Sequence, residues 1–164
     1  MKTLKWSTLR LVWARPVFVA VALVIMGLTA PAFATLGGDV ASVEADRAKM
    51  NAAVTVTQNQ AYEVHEIKAE NGIVVREYVS PDGRVFGLAW KGPFMPDMPQ
   101  LLGTYLQQYS AAAKAQKAGH AGRRPLNIQE PGLVVQTSGH MGFYSGKALD
   151  PGLLPQGVGI NDVR

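Results

Sequence analysis

The sequence predicts an α+β domain in which a small antiparallel sheet, a β-meander plus a C-terminal hairpin, packs with two helices. Three observations carry that expectation. Three β-rich runs occupy residues 62–68, 73–79 and 84–90, separated by Asn71-Gly72 and by Ser80-Pro81-Asp82-Gly83. Leu101, Leu102, Tyr105, Leu106, Tyr109 and Ala113 recur at spacings of three and four, the stripe of a helix that closes over a sheet. A last pair of runs, residues 133–137 and 142–145, flanks Ser138-Gly139-His140 and reads as a hairpin turned there.

Ahead of these elements, residues 1–34 read as a cleavable secretory signal peptide. Lys2, Lys5, Arg10 and Arg15 stand without an acid, and residues 17–30 (VFVAVALVIMGLTA) form an apolar to weakly polar run. Ala32 and Ala34 fill the two small positions that a signal peptidase requires, so cleavage is expected between Ala34 and Thr35. A membrane-spanning helix needs about 20 apolar residues, whereas this run is shorter and closed by Pro31. The sequence has no cysteine, so neither a lipid anchor at the cleavage point nor a disulfide is available. The expectation is a periplasmic or secreted protein without stable membrane insertion after cleavage.

Export changes the charge argument. The chain has 16 Lys+Arg against 12 Asp+Glu, and removing the four cations of the signal leaves 12 of each sign. The basic pI therefore belongs to the signal, and composition lends no support to binding nucleic acid or an anionic membrane, which draw on a cationic surplus. Residues 35–164 are sufficient for one core, and they are read as a single exported domain ending in an irregular Pro/Gly-rich tail.

Within that domain, residues 39–52 read as the first helix, with Val40, Val43, Arg47 and Met50 on one side and Asp39 or Ser42 as cap. Glu44 and Asp46 sit where the helix dipole favours acids. Residues 53–60 are polar and β-branched and read as a linker. In the meander, Asn-Gly suits a tight hairpin, and Pro-Asp-Gly a type I turn followed by a left-handed glycine. That geometry pairs Tyr78 with Phe86, Arg76 with Leu88 and Val74 with Trp90, with His65 and Ile67 on the same face. Val64, Glu66, Val75, Glu77, Val79, Val85, Gly87 and Ala89 fall on the other. Pro93, Pro96 and Pro99 make a stiff connector to the second helix, residues 100–117, which ends at Gly119. A basic loop follows, with His120, Arg123 and Arg124, and Leu153, Leu154 and Val158 anchor the tail.

No motif for chemistry survives comparison with a structural explanation. His65 stands next to Glu66, but neighbours on a strand point to opposite faces, so this carboxylate cannot orient this imidazole. A zincin helix needs a second histidine four residues on, where Ala69 stands. Glu66 and Glu77 would form a carboxylate dyad only if the first turn placed them side by side; a one-step difference in register separates them. Ser138 and Ser145 lack a G-x-S-x-G elbow, and Gly157-Val158-Gly159 lacks the third glycine of a dinucleotide fingerprint. His65, His120 and His140 lie in separate elements without ligand spacing. No catalytic residue, metal or cofactor is expected.

Taken together, the export signal, Tyr62-Glu-Val-His-Glu-Ile67, Val75-Arg-Glu-Tyr-Val-Ser-Pro-Asp-Gly83, Leu88-Ala-Trp-Lys-Gly-Pro93, Leu101-Leu-Gly-Thr-Tyr105 and Ser138-Gly-His-Met141 form a distinctive set. The chain resembles the exported proteobacterial proteins grouped as domain of unknown function 2844. That resemblance covers nearly all of residues 35–164 and implies no activity. The leading expectation is a non-enzymatic accessory or binding module for an envelope protein or small ligand, through Val75, Gly87 and Ala89 or through the Arg123-Arg124 loop. The alternative is an envelope hydrolase or small-ligand binder with a pocket near His65, Arg76 and Tyr78.

Overall fold

A computed structural model describes residues 35–39, 53–118 and 125–164. The signal segment with Ala32 and Ala34, the first expected helix after Asp39, and the loop with His120, Arg123 and Arg124 lie outside the described residues.

Seven strands form one antiparallel sheet: β1 (Ala53–Gln58), β2 (Glu63–Lys68), β3 (Val74–Val79), β4 (Val85–Gly92), β5 (Leu126–Glu130), β6 (Leu133–His140) and β7 (Phe143–Leu149). The spatial order β1-β2-β3-β4-β7-β6-β5 joins two meanders edge to edge through β4 and β7. Between them runs the helical segment, α1 (Met98–Leu102), a 3-10 turn (Gly103–Tyr105) and α2 (Leu106–Ala118). The architecture is α+β with sheet predominating, and the expected helix over residues 100–117 is this segment.

Two strands correct the sequence reading. Residues 53–58, expected as linker, form β1; Val54 and Val56 do alternate with Thr55 and Thr57, but the strand is polar and nearly all exposed, with Val54 alone packed against the core. Residues 126–130 form β5, too short to stand out, with Ile128 buried against the core. The side-chain amide of Gln116 donates to Asn127 O at 3.0 Å and accepts from Asn127 N at 3.2 Å, satisfying the outer edge of β5 from α2. The C-terminal hairpin turns at Met141-Gly142, with His140 opposite Phe143, two residues later than expected.

Register decides the faces. The second turn forms as expected: Ser80 N donates to Arg84 O at 2.9 Å, Gly83 N to Ser80 O at 2.8 Å, and Gly83 takes φ +80°, a conformation that side-chain-bearing residues rarely adopt. A bulge then follows between Tyr78 and Val79, so that Tyr78 pairs with Gly87, Arg76 with Ala89 and Val74 with Lys91, one residue beyond the expected partners. Such a slip transfers side chains to the other face. At the first turn Ala69 N donates to Ile73 O across three intervening residues, and His65 pairs with Glu77 and Glu66 with Arg76.

The first face thus carries Ile67, Val75, Val79, Val85, Leu88 and Trp90, and it is closed by Leu36, Met98, Leu101 and Leu102 together with the flanks of Tyr105, Leu106, Tyr109 and Ala113. Every residue of the expected helical stripe reaches this core. Asp97 caps α1, its side chain accepting from Gln100 N at 3.3 Å.

The second face carries Tyr78, Phe86, Ala89, Val134 and Leu149, closed in part by the tail through Leu153, Leu154, Val158 and Val163. The three expected anchors hold, and the deepest, Val163, was not among them. Gly87 is what lets the tail lie flat, because a Cβ there would sit 2.9 Å from Val163 Cγ2. Of the residues expected to offer a small-residue contact surface, Val75 is buried on the first face and Gly87 lies beneath Val163, leaving Ala89 at the margin.

Candidate functional site

Three cross-strand rows build the second face. Tyr78, Gly87, Leu149 and Val134 form one, which the tail covers. Arg76, Ala89, Lys147, Gln136 and Asn127 form the next, and Val74, Lys91, Ser145 and Ser138 the third. The second and third rows are the floor of a groove of about 570 Å³, bounded by Val163 and Arg164 at its inner end and by Phe143 at its outer end. Its volume is that of a small-ligand site, about 300–1,000 Å³.

Four cationic side chains, of Arg76, Lys91, Lys147 and Arg164, and no acidic side chain line this groove among the described residues. Their surroundings differ. Arg76 Nε donates to Glu66 Oε2 at 2.7 Å and its Nη1 to the main-chain oxygen of Arg164 at 3.1 Å. The Arg76 hydrogen bond, followed by that from Lys68, holds the Glu66 carboxyl below its ordinary pKa. Lys147 Nζ donates to Ile160 O at 2.8 Å, a neutral partner, and has no ion pair among the described residues. Lys91 is exposed and has no ion pair among the described residues.

Of the residues expected to converge, Arg76 and Tyr78 do and His65 does not. Tyr78 is 3 % exposed; its hydroxyl donates to Arg164 O at 2.6 Å and accepts from Arg164 N at 3.0 Å. Arg76 and Tyr78 therefore dock the tail. His65 faces the other side of the sheet, 8 % exposed, with Nε2 3.4 Å from Glu63 Oε2 and its backbone opposite the fully buried Glu77. A pocket uniting His65, Arg76 and Tyr78 is ruled out by strand parity. The same parity separates Glu66 from Glu77, so no carboxylate dyad forms.

His140 is exposed at the hairpin turn, its Nδ1 3.0 Å from Met141 O, and no group of three metal-ligating side chains occurs among the described residues. Ser145 and Ser138 lie opposite each other on the groove floor, with no histidine or acidic side chain lining it among the described residues. Sequence reasoning missed Lys91, Lys147 and Ser145. The alternation Phe143, Ser145, Lys147 was legible as a strand face, but only the β4–β7 pairing sets it beside Ala89 and Lys91.

Among the described residues no helix is long and apolar enough to cross a membrane. Neither a curated protein nor a solved structure matches the chain. The model of one family, described as protein of unknown function (DUF2844), matches residues 32–163, which include the tail and every strand that builds the groove, and the chain belongs to that family.

Proposed function

We propose that this protein is a non-enzymatic binding module, exported to the periplasm or beyond after cleavage between Ala34 and Thr35, whose ligand or partner group lies in the groove on the second sheet face. The single observation that carries this reading is the groove: a recess of small-ligand volume with a pre-formed floor of sheet side chains and cations of one sign. A sheet floor is rigid, which keeps the ordering cost of binding low. Among the described residues the lining offers the hydroxyls of Thr137, Ser138 and Ser145 as hydrogen-bonding groups for a ligand. The signal-peptide reading rests on Lys2, Lys5, the apolar run and Ala32-Phe33-Ala34.

A fragment screen read by amide chemical shifts on the full chain tests it. Binders are expected to move the resonances of Ala89, Lys91 and Ser145 together, and Ala89→Phe, which fills the recess, to abolish those shifts. Fragments that cluster elsewhere on the molecule, or that bind Ala89→Phe equally well, overturn the reading.

A further inference from the structure

We propose that the groove takes a single-chain anionic amphiphile: an alkyl or acyl chain ending in a carboxylate or phosphate. The anion sits over Ala89 beside Lys147 and Lys91, and the chain runs outward along β7 to Phe143. This deepens the binding reading above and rests on it.

The charge pattern selects an anion. Arg76 and Lys147 lie one strand to either side of Ala89, so their backbones are separated by about 10 Å. Lys91 follows Ala89 by two residues on the same face. Arg76 is compensated by Glu66, whereas among the described residues Lys147 meets a carbonyl and Lys91 has no ion pair. Ala89 projects a single methyl between these long cations, leaving the space that a headgroup would fill. Grouped along one groove, such charges add their attraction for an anion, an attraction that added salt screens.

The far end selects an apolar chain. Phe143 lines the outer end of the groove with 48 % of its surface exposed, and Met141, at the adjacent turn, is 84 % exposed. Phe143, Ser145 and Lys147 alternate on one face of β7, so a linear molecule along that strand meets an aromatic ring, a hydroxyl and a cation in turn. The volume, about 570 Å³, exceeds what an inorganic ion needs. A polyanion is disfavoured by the equal numbers of opposite charges over residues 35–164.

Calorimetric titration of the full chain, at ligand concentrations below micelle formation, tests the proposal with decanoate, decyl phosphate, decanol, decyltrimethylammonium and inorganic phosphate. Decanoate and decyl phosphate are expected to bind and to weaken with added salt. Decanol and decyltrimethylammonium are expected to bind at least tenfold more weakly, and inorganic phosphate alone not to register. Lys91→Ala, which removes no ion pair among the described residues, should weaken decanoate by about tenfold, as should Lys147→Ala, while Lys114→Ala, at an exposed position of α2, leaves it unchanged. Equal binding of decanol, or unchanged decanoate affinity in Lys91→Ala and Lys147→Ala, overturns the choice of an anion. Inorganic phosphate binding as tightly as decyl phosphate overturns the chain. Silence of all five probes overturns the proposal as a whole. The binding reading falls only if fragments also ignore Ala89 in the screen above.

Discussion

At the scale of single residues, Tyr105 and Asp150 show how polar groups join the helical run to the sheet. The Tyr105 hydroxyl donates to Asp150 Oδ2, while Asp150 Oδ1 accepts from Gly152 N at 2.8 Å and its own N–H donates to Phe86 O at 3.0 Å. Burial, and then the neighbouring carboxylate, push the Tyr105 hydroxyl up to about 12. In the unfolded chain that phenol ionises near its ordinary value of 10.0, so deprotonation favours unfolding first. The contribution is therefore complete below pH 10 and is lost as pH rises toward 12. Tyr105→Phe is expected to cost about 1 kcal/mol at pH 7 and to flatten the alkaline decline of stability, measured by urea unfolding between pH 9 and 12. An alkaline slope identical to that of the parent would refute this assignment. None of it was visible in the sequence, because Tyr105 reads there only as one member of an apolar stripe and Asp150 as the start of a coil.

Among the elements, the tail repays closest attention because it covers the sheet and bounds the groove. Its sequence is rich in Pro and Gly and predicts irregular coil, and apart from two 3-10 turns (Pro151–Leu153 and Ile160–Asp162) that is what it forms. Leu153, Leu154 and Val158 were recognisable as anchors by their chemistry. Val163 was not, since its burial depends on Gly87 leaving room for it and on Tyr78 and Arg76 holding Arg164. Val163→Ala removes two methyl groups from a completely buried position and is expected to cost about 2 kcal/mol. Ile160→Ala, at a position 40 % exposed in the same tail, should stay within about 0.5 kcal/mol. Both are read from denaturant midpoints. Equal effects of the two substitutions would mean that the tail does not dock through Val163.

For the molecule as a whole, the decisive contact is the pairing of β4 with β7, which turns two meanders into one sheet. The helical run between them forms one closing layer and the tail the other, over unequal parts of the two faces. Amide exchange should report that architecture: slowest at β3 and β4, central strands most of whose residues are buried, and fastest in β1, an edge strand with nearly every side chain in solvent. Protection of β1 equal to that of β4 would contradict the strand order.

The sequence by itself determined the strands with strong alternation or turn chemistry, the helical stripe and the family, because those signals are local. Val75 on β3 and Leu88 and Trp90 on β4 announce buried strands wherever they end up, and Pro81-Asp82-Gly83 carries its own turn chemistry. Tertiary structure decided the parity of each strand: the three-residue first turn sets His65 opposite Glu77 and so on the face away from Arg76, and the bulge at Tyr78/Val79 brings Ala89 and Lys91 rather than Leu88 and Trp90 beside Arg76 and Val74. It also decided the groove, whose floor is drawn from β3, β4, β7, β6 and β5 and whose inner wall is the end of the tail at Val163 and Arg164. Side-chain direction alternates with every residue, so a displacement of one position, invisible in composition or periodicity, reassigns the members of a site.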